Sequence, residues 1–318
     1  MDILSEVLGQ AGLQRRILET SAFTPGLALR FPCVRSMGLH AVLQGSVTVF
    51  SPALDQPITL QAGDLLWMAR GTDHVLAAGA VRSLRGIRVE FATLAEPAVG
   101  PVAAHAPDAP LVFGAAFQFW HEPVHPLLRE LPVLHRISAQ ALGPLTTVSM
   151  LLGLIRQELA ARDPASMTIT SGLTDALFGS VLRMVVAQLG REGLPSWPQA
   201  VKDPAIARVL ECMHAQPHVE WTLDRLAQQA FISRTALAER FRMLLGITPL
   251  NYLRSLRMQK AQSLLCDTDR SLEAIAQMVG YQDAFSFSKV FKRVVGSSPK
   301  AFRTRDAQER EAFGRMRA

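Results

Sequence analysis

The sequence predicts an α+β, multidomain chain. A small β-barrel or sandwich and a helical region precede an all-α carboxyl-terminal domain. Three observations predict it. Short apolar runs separated by Gly, Pro and Asp fill the first 135 residues. Two apolar stripes at helical spacing follow. A twelve-residue pattern then occurs twice in the last third, every matched position displaced by 50 residues.

Taken in order, an opening amphipathic segment runs from Ile3 to Leu18. Strands are predicted at Gly38 to Leu43, Val47 to Phe50, Pro57 to Leu60, Asp64 to Met68, Val75 to Leu76 and Leu84 to Phe91. So many short strands imply a barrel or sandwich. Leu145, Val148, Leu151, Leu152, Ile155 and Leu159 form one helical stripe, and Leu173, Leu177, Val181, Leu182, Val185, Val186 and Leu189 a broader one. Asp163-Pro164 breaks the chain between them. These helices can cover the barrel and each other, and the breadth of the second stripe also suits a homodimer interface. Gly193-Leu-Pro195-Ser-Trp197-Pro198 reads as a linker. The expected domains are 1–135, a helical and possible dimerisation region 136–192, a linker 193–202, a domain 203–305 and a tail 306–318.

The duplicated pattern is Phe241-Arg242-x-x-x-Gly246-x-Thr248-Pro249-x-x-Tyr252 and Phe291-Lys292-x-x-x-Gly296-x-Ser298-Pro299-x-x-Phe302. Gly supplies the left-handed residue that stops one helix, a hydroxyl caps the next, and Pro fits its first turn. Upstream, Leu226-Ala227 and Ile275-Ala276 lie in short helices that break at Phe231-Ile232 and Gly280-Tyr281, before Ser233 and Asp283 open second helices. Ala227 and Ala276 permit two steeply crossing helices to approach. This is helix-turn-helix spacing, twice. Phe231 occupies a turn position where glycine is usual, which is costly if that turn needs a positive φ. Pro249 to Leu265 should form one continuous helix, about 25 Å long, joining the copies.

Charge is concentrated in the same place. Residues 203–305 carry 15 Lys+Arg and 9 Asp+Glu, an excess of +6 that equals the excess of the whole chain. Residues 1–202 carry 15 of each sign and 306–318 carry 3 of each. A localised excess is the footprint of a polyanion-binding surface, though an Arg-rich solvated helix face has the same composition.

The stretch from Asp203 to Arg305 resembles the DNA-binding domain of the AraC/XylS family of bacterial transcription regulators. The likeness is densest along Ala276-x-x-Val279-Gly280-Tyr281-x-x-x-x-x-Phe287-Ser288-x-x-Phe291-Lys292-Arg293-x-x-Gly296-x-Ser298-Pro299-x-x-Phe302-Arg303. Leu39-His40-Ala-Val-Leu43-x-Gly45 and Leu60-x-Ala-Gly63-Asp64-Leu65-x-x-Met68-x-x-Gly71-x-x-His74 resemble the cupin-type sensor domain of such regulators, as do Phe117-Gln-Phe119-Trp-His121 and Leu127 to Pro132. The resemblance implies groove-facing residues Arg234, Thr235, Ala238, Glu239 and Arg242 in the first copy and Ala284, Phe285, Ser286, Ser288 and Lys289 in the second. Thr235, Glu239, Ser286 and Lys289 are expected at base edges, with Phe285 able to meet a thymine methyl. Gln282, Lys292 and Arg293 are expected on phosphates. It further implies double-stranded promoter DNA, RNA polymerase and an unknown small-molecule effector as partners, and activation of transcription under the control of that signal.

Enzyme chemistry has no evident seat: no nucleophile, base and orienting group emerges, nor a phosphate-cradling loop. Resembling cupin enzymes cluster several His and a carboxylate, whereas here His40 and His74 stand singly, as hydrogen-bonded residues or a ligand pocket; no cofactor or catalytic metal is expected. His121-Glu-Pro-Val-His125 matches a zinc-protease pattern, but Pro123 and Pro126 oppose the helix it needs. A metal-dependent cupin enzyme fused to a DNA-binding module, and a thiol-based redox regulator using Cys33, remain as alternatives. Cys33, Cys212 and Cys266 lack metal-ligand spacing and fit a reducing compartment. No signal peptide is read at the amino end, and Ile137 to Ile155 is too polar for a membrane span, so a cytoplasmic protein is expected.

Overall fold

The structure, a computed structural model, describes residues 15–33, 36–92, 109–118, 128, 130–143, 146–161, 163–189 and 197–315. The expectations on residues 3–14, 119–125, Leu145 and 193–196 lie outside the described residues. The chain divides into two compact units: one of residues 15–118 and 132–185, the other of Leu128, Glu130, Leu131 and the residues from Val186 on.

The first unit contains β1 (Arg15–Ala22), β2 (Leu27–Pro32), β3 (Ser36–Gln44), β4 (Ser46–Phe50), β5 (Ile58–Gln61), β6 (Leu65–Met68), β7 (Asp73–Ala78), β8 (Arg88–Phe91), β9 (Leu111–Gln118) and β10 (Leu134–Ile137). They form two five-stranded sheets, ordered β1-β9-β3-β6-β10 and β5-β4-β7-β2-β8. Pairing is antiparallel except between β2 and β8. Val42, Leu66 and Val112 of the first sheet meet Phe31, Val47 and Leu76 of the second in one apolar core. β3 and β6 are buried on both faces, which explains why Leu65-Leu66-Trp67-Met68 is a continuous apolar run and not an alternating one.

Behind the first sheet lie α1 (Ala139–Leu142), α2 (Thr147–Ala161) and α3 (Ser166–Leu189). α3 is long and apolar enough to cross a membrane by length and composition. Its Phe178 nevertheless sits against Trp67 of β6 and Phe117 of β9, with ring centroids 5.0 and 4.1 Å apart, so it is a cover for the sheet. Buried Asp64 ties the β5–β6 turn to β10 and α1: it accepts from the N–H groups of Gln61 and Ala139 and from the Arg136 guanidinium at 2.7 Å.

Four strands were not legible in the sequence. β1, β2 and β10 lack a long apolar run, and the apolar run of β9 (Leu111–Gln118) is interrupted by Gly114. The end of the Ile3 to Leu18 segment belongs to β1, a strand paired with β9 from Arg15↔Gln118 to Ala22↔Leu111. Tertiary pairing with a distant partner decides a segment this short.

The second unit holds α4 (Trp197–Lys202), α5 (Pro204–Ala215), α6 (Leu223–Gln229), α7 (Arg234–Leu245), α8 (Pro249–Asp267), α9 (Leu272–Met278), α10 (Ala284–Val295) and α11 (Pro299–Arg315). The end of the expected linker differs from that reading. Trp197 and Ala200 are buried in the core with Ile206, Phe241 and Tyr252. The Trp197 indole N–H donates to the Tyr252 hydroxyl at 3.3 Å, and its backbone N–H to the Glu130 carboxylate at 2.8 Å. Pro198 is tolerated because it lies in the first turn of α4, where its missing N–H costs nothing. The tail likewise begins as helix, since α11 continues past Arg305 to Arg315.

Candidate nucleic-acid interface

Both copies of the repeat are built by the same local devices. Thr222, Ser233, Ser271 and Asp283 accept from the N–H three residues on, capping α6, α7, α9 and α10. Gly246 (φ 68°) and Gly296 (φ 85°) stop α7 and α10 in the left-handed conformation, and Thr248 and Ser298 cap the helices that follow. Ala227 and Ala276 are buried where the helices cross. In each turn an N–H reaches back to that alanine's carbonyl, from Ile232 at 3.1 Å and from Tyr281 at 2.8 Å. The preceding residue is left-handed in both, Phe231 at φ 55° and Gly280 at φ 82°. Phe231 therefore does occupy a position that favours glycine. Its ring is 80% exposed, with the Arg208 guanidinium 5.1 Å from its centroid.

These devices fix which face of each second helix is left uncovered. On α7, Leu237 and Phe241 are buried, Arg234, Thr235, Glu239 and Arg242 are exposed, and Ala238 is half-buried. Arg234 pairs with Asp224 of α6 at 3.0 Å. On α10, Phe287 and Phe291 are buried, Phe285, Ser286, Lys289, Lys292 and Arg293 are exposed, and Ala284 and Ser288 are half-buried; Gln282 is exposed just before the helix. Phe285 is 80% exposed, with no ring or cation contact among the described residues. The Ser286 backbone N–H and hydroxyl both donate to Asp283, at 2.7 and 2.9 Å, holding that carboxyl below the usual carboxylate range. The Ser286 oxygen keeps its lone pairs and can still accept.

Four further side chains support this arrangement; Tyr252 and Arg303 stand in the repeated and family-like patterns, whereas His214 and Arg257 carry no sequence signal that would single them out. His214 and Tyr252 share a buried hydrogen bond of 2.8 Å, and burial pushes the imidazole down to about 4. Arg303 of α11 donates to the carbonyls of Leu265 and Arg270 at 2.9 and 2.8 Å. Arg257 of α8 donates to the carbonyls of Pro217 and Val219 at 2.7 and 2.9 Å.

In the other unit, the strands bring His40 of β3 and His74 of β7 together, both buried, with 2.8 Å between their Nε2 atoms. His74 Nδ1 faces the Thr72 carbonyl at 2.9 Å and must donate to it, so His74 Nε2 accepts and His40 Nε2 donates. His40 Nδ1 is then a buried acceptor with no partner among the described residues. Phe31 stacks on His74 and meets His40 edge-on, and burial holds both imidazoles neutral. Among the described residues no three His, Cys, Asp or Glu side chains converge to hold a metal ion.

A two-sheet sensor-type domain joined to paired, capped helix-turn-helix units defines a DNA-binding transcription regulator. Residues 2–187 match the model of a cupin family, and residues 226–305 match a helix-turn-helix domain family. An AraC-like transcription regulator of Streptomyces lividans is 30% identical over 95% of this chain and 98% of its own. The HTH-type transcriptional regulator AlkR of Acinetobacter baylyi is 29% identical over 83% of this chain and 86% of its own. A crystal structure of the DNA-binding domain of AdpA with a target DNA is 32% identical, covering 34% of this chain and 97% of that one, with a TM-score of 0.33. This chain belongs to the AraC family of transcription regulators.

Proposed function

We propose that the amino-terminal unit binds a small-molecule signal without transforming it, and that the carboxyl-terminal unit answers by occupying two successive major grooves of promoter DNA. The observation that carries this reading is the pair of matched turns that leave an uncovered face on α7 and α10, within a segment holding the chain's whole cationic excess. Glu239 accepts from cytosine N4 and Lys289 donates to guanine, with Thr235 and Ser286 beside them at base edges. Arg234, Ala238, Arg242, Ala284, Phe285 and Ser288 line the grooves, while Gln282, Lys292 and Arg293 hold phosphates. The effector sits by His40 and His74, where the free Nδ1 of His40 offers an acceptor. The active species is a cytoplasmic homodimer that raises transcription through RNA polymerase. Met150 and Leu154 on α2 and Ile169 on α3, large apolar side chains exposed among the described residues, support the dimer.

The test is binding of selected duplexes by the full chain. Exchanging both Lys292 and Arg293 for Gln lowers the slope of log affinity against log salt by about two while leaving the ranking of sequences intact. Glu239→Ala and Lys289→Ala instead relax preference at single base pairs, each by about 1–3 kcal/mol. Salt-insensitive binding, or the same ranking from every variant, overturns the reading.

A further inference from the structure

The carboxyl-terminal unit has two separate apolar cores. Leu253 and Leu256 of α8 belong to the first, Met258 and Ala261 to the second. Between them on the same helix lies Arg257. Its guanidinium donates to Pro217 and Val219, in the loop that enters the first helix-turn-helix copy, and lies 5.6 Å from the centroid of the Tyr281 ring, in the turn of the second. The residue between those two acceptors completes the contact. A Cβ on Gly280 would fall 2.5 Å from the His218 carbonyl oxygen and 2.8 Å from an Arg257 nitrogen. The matching turn of the first copy adopts a similar φ with Phe231, so the turn alone does not demand glycine. At position 280 it is the approach of the 217–219 loop that excludes a side chain.

A long helix curves gently, so two cores joined by one helix keep a fixed relation only if a contact off the helix axis ties them as well. We propose that Arg257, seated against Gly280, is a positioning residue that sets the distance and phase between α7 and α10. The protein thereby discriminates the spacing between the two halves of its DNA site. The inference rests on the reading above, in which both helices enter grooves. Adding or removing one base pair turns a half-site by roughly a tenth of a helical turn and moves it by about 3.4 Å, which a braced pair of helices cannot follow.

The experiment measures affinity of the full chain for a selected two-part site whose spacer is shortened or lengthened by one or two base pairs. The natural protein is expected to lose about tenfold per added or removed pair, while Arg257→Gln varies by less than about threefold across the series and keeps the same salt slope. Arg257→Lys, which keeps the charge but cannot bond both carbonyls and stack, should flatten the profile as Gln does. If Arg257→Gln does not fold, Gly280→Ala serves in its place and should move the preferred spacer or flatten the profile. A uniform drop at every spacer, or an unchanged profile in the folded variants, overturns the proposal. A salt slope lowered by about one in Arg257→Gln also overturns it, because Arg257 would then be a phosphate contact. Scrambling either half-site separates the two readings: if one scramble leaves the natural protein's affinity unchanged, it is the two-groove reading that has failed.

Discussion

Phe231 and Gly280 share a left-handed backbone and differ in everything around it. Phe231 faces solvent and touches the Arg208 guanidinium, so Phe231→Gly relieves strain for the loss of one weak contact. It should raise stability by about 0.5–1 kcal/mol. Gly280→Ala forces a Cβ against a backbone carbonyl at 2.5 Å and should cost about 2–4 kcal/mol. Denaturant midpoints of the two variants, moving in opposite directions, check this. His214 makes a pH prediction. Its folded value of about 4 lies below the ordinary 6.5, so the unfolded chain binds the extra proton first. Its contribution is complete above about pH 6.5 and declines as pH falls towards 4, by roughly 2 kcal/mol at pH 5. Unfolding at pH 7.5 and pH 5 should show that loss in the natural protein and a smaller one in His214→Asn.

At the scale of elements, α4 shows how a boundary is decided. Gly, Pro and Ser before Trp197 signal a connection, and the expected linker, 193–202, runs six residues into the helix, because Pro198 is as much at home in a helix's first turn as in a loop. What places α4 in the domain is the fit of Trp197 against Tyr252, a partner far along the chain. A carboxyl-terminal fragment beginning at 203 should therefore be less stable than one beginning at 197 by about 3–5 kcal/mol, the cost of emptying a buried Trp site. Thermal unfolding of the two fragments compares them directly. Asp64 is the corresponding tie in the sensor unit. Asp64→Ala leaves two backbone N–H groups and the Arg136 guanidinium without their acceptor, and should destabilise that unit by about 3 kcal/mol, read from its urea midpoint.

For the whole molecule, the cationic excess lies in residues 203–305, so raising salt from 50 to 200 mM should weaken DNA binding by about a hundredfold or more if at least four phosphates are held. The sensor unit, charge-balanced, should lower that slope little when removed. Titrations of the full chain and of the fragment from 197 check both. The two helix-turn-helix copies were readable residue by residue, because caps, left-handed glycines and inward aromatics act within a few positions of one another. The strands buried on both faces, β3 and β6, were readable as apolar runs for the same local reason. Edge strand β1 was not, since its register is held by β9 some hundred residues on. The sequence by itself determined the two duplicated reading units, their uncovered faces and the charge they carry. Only the tertiary structure decided that His40 meets His74, that Trp197 belongs to the core and that Arg257 braces one copy against the other, because each depends on groups brought together by folding and not by spacing along the chain.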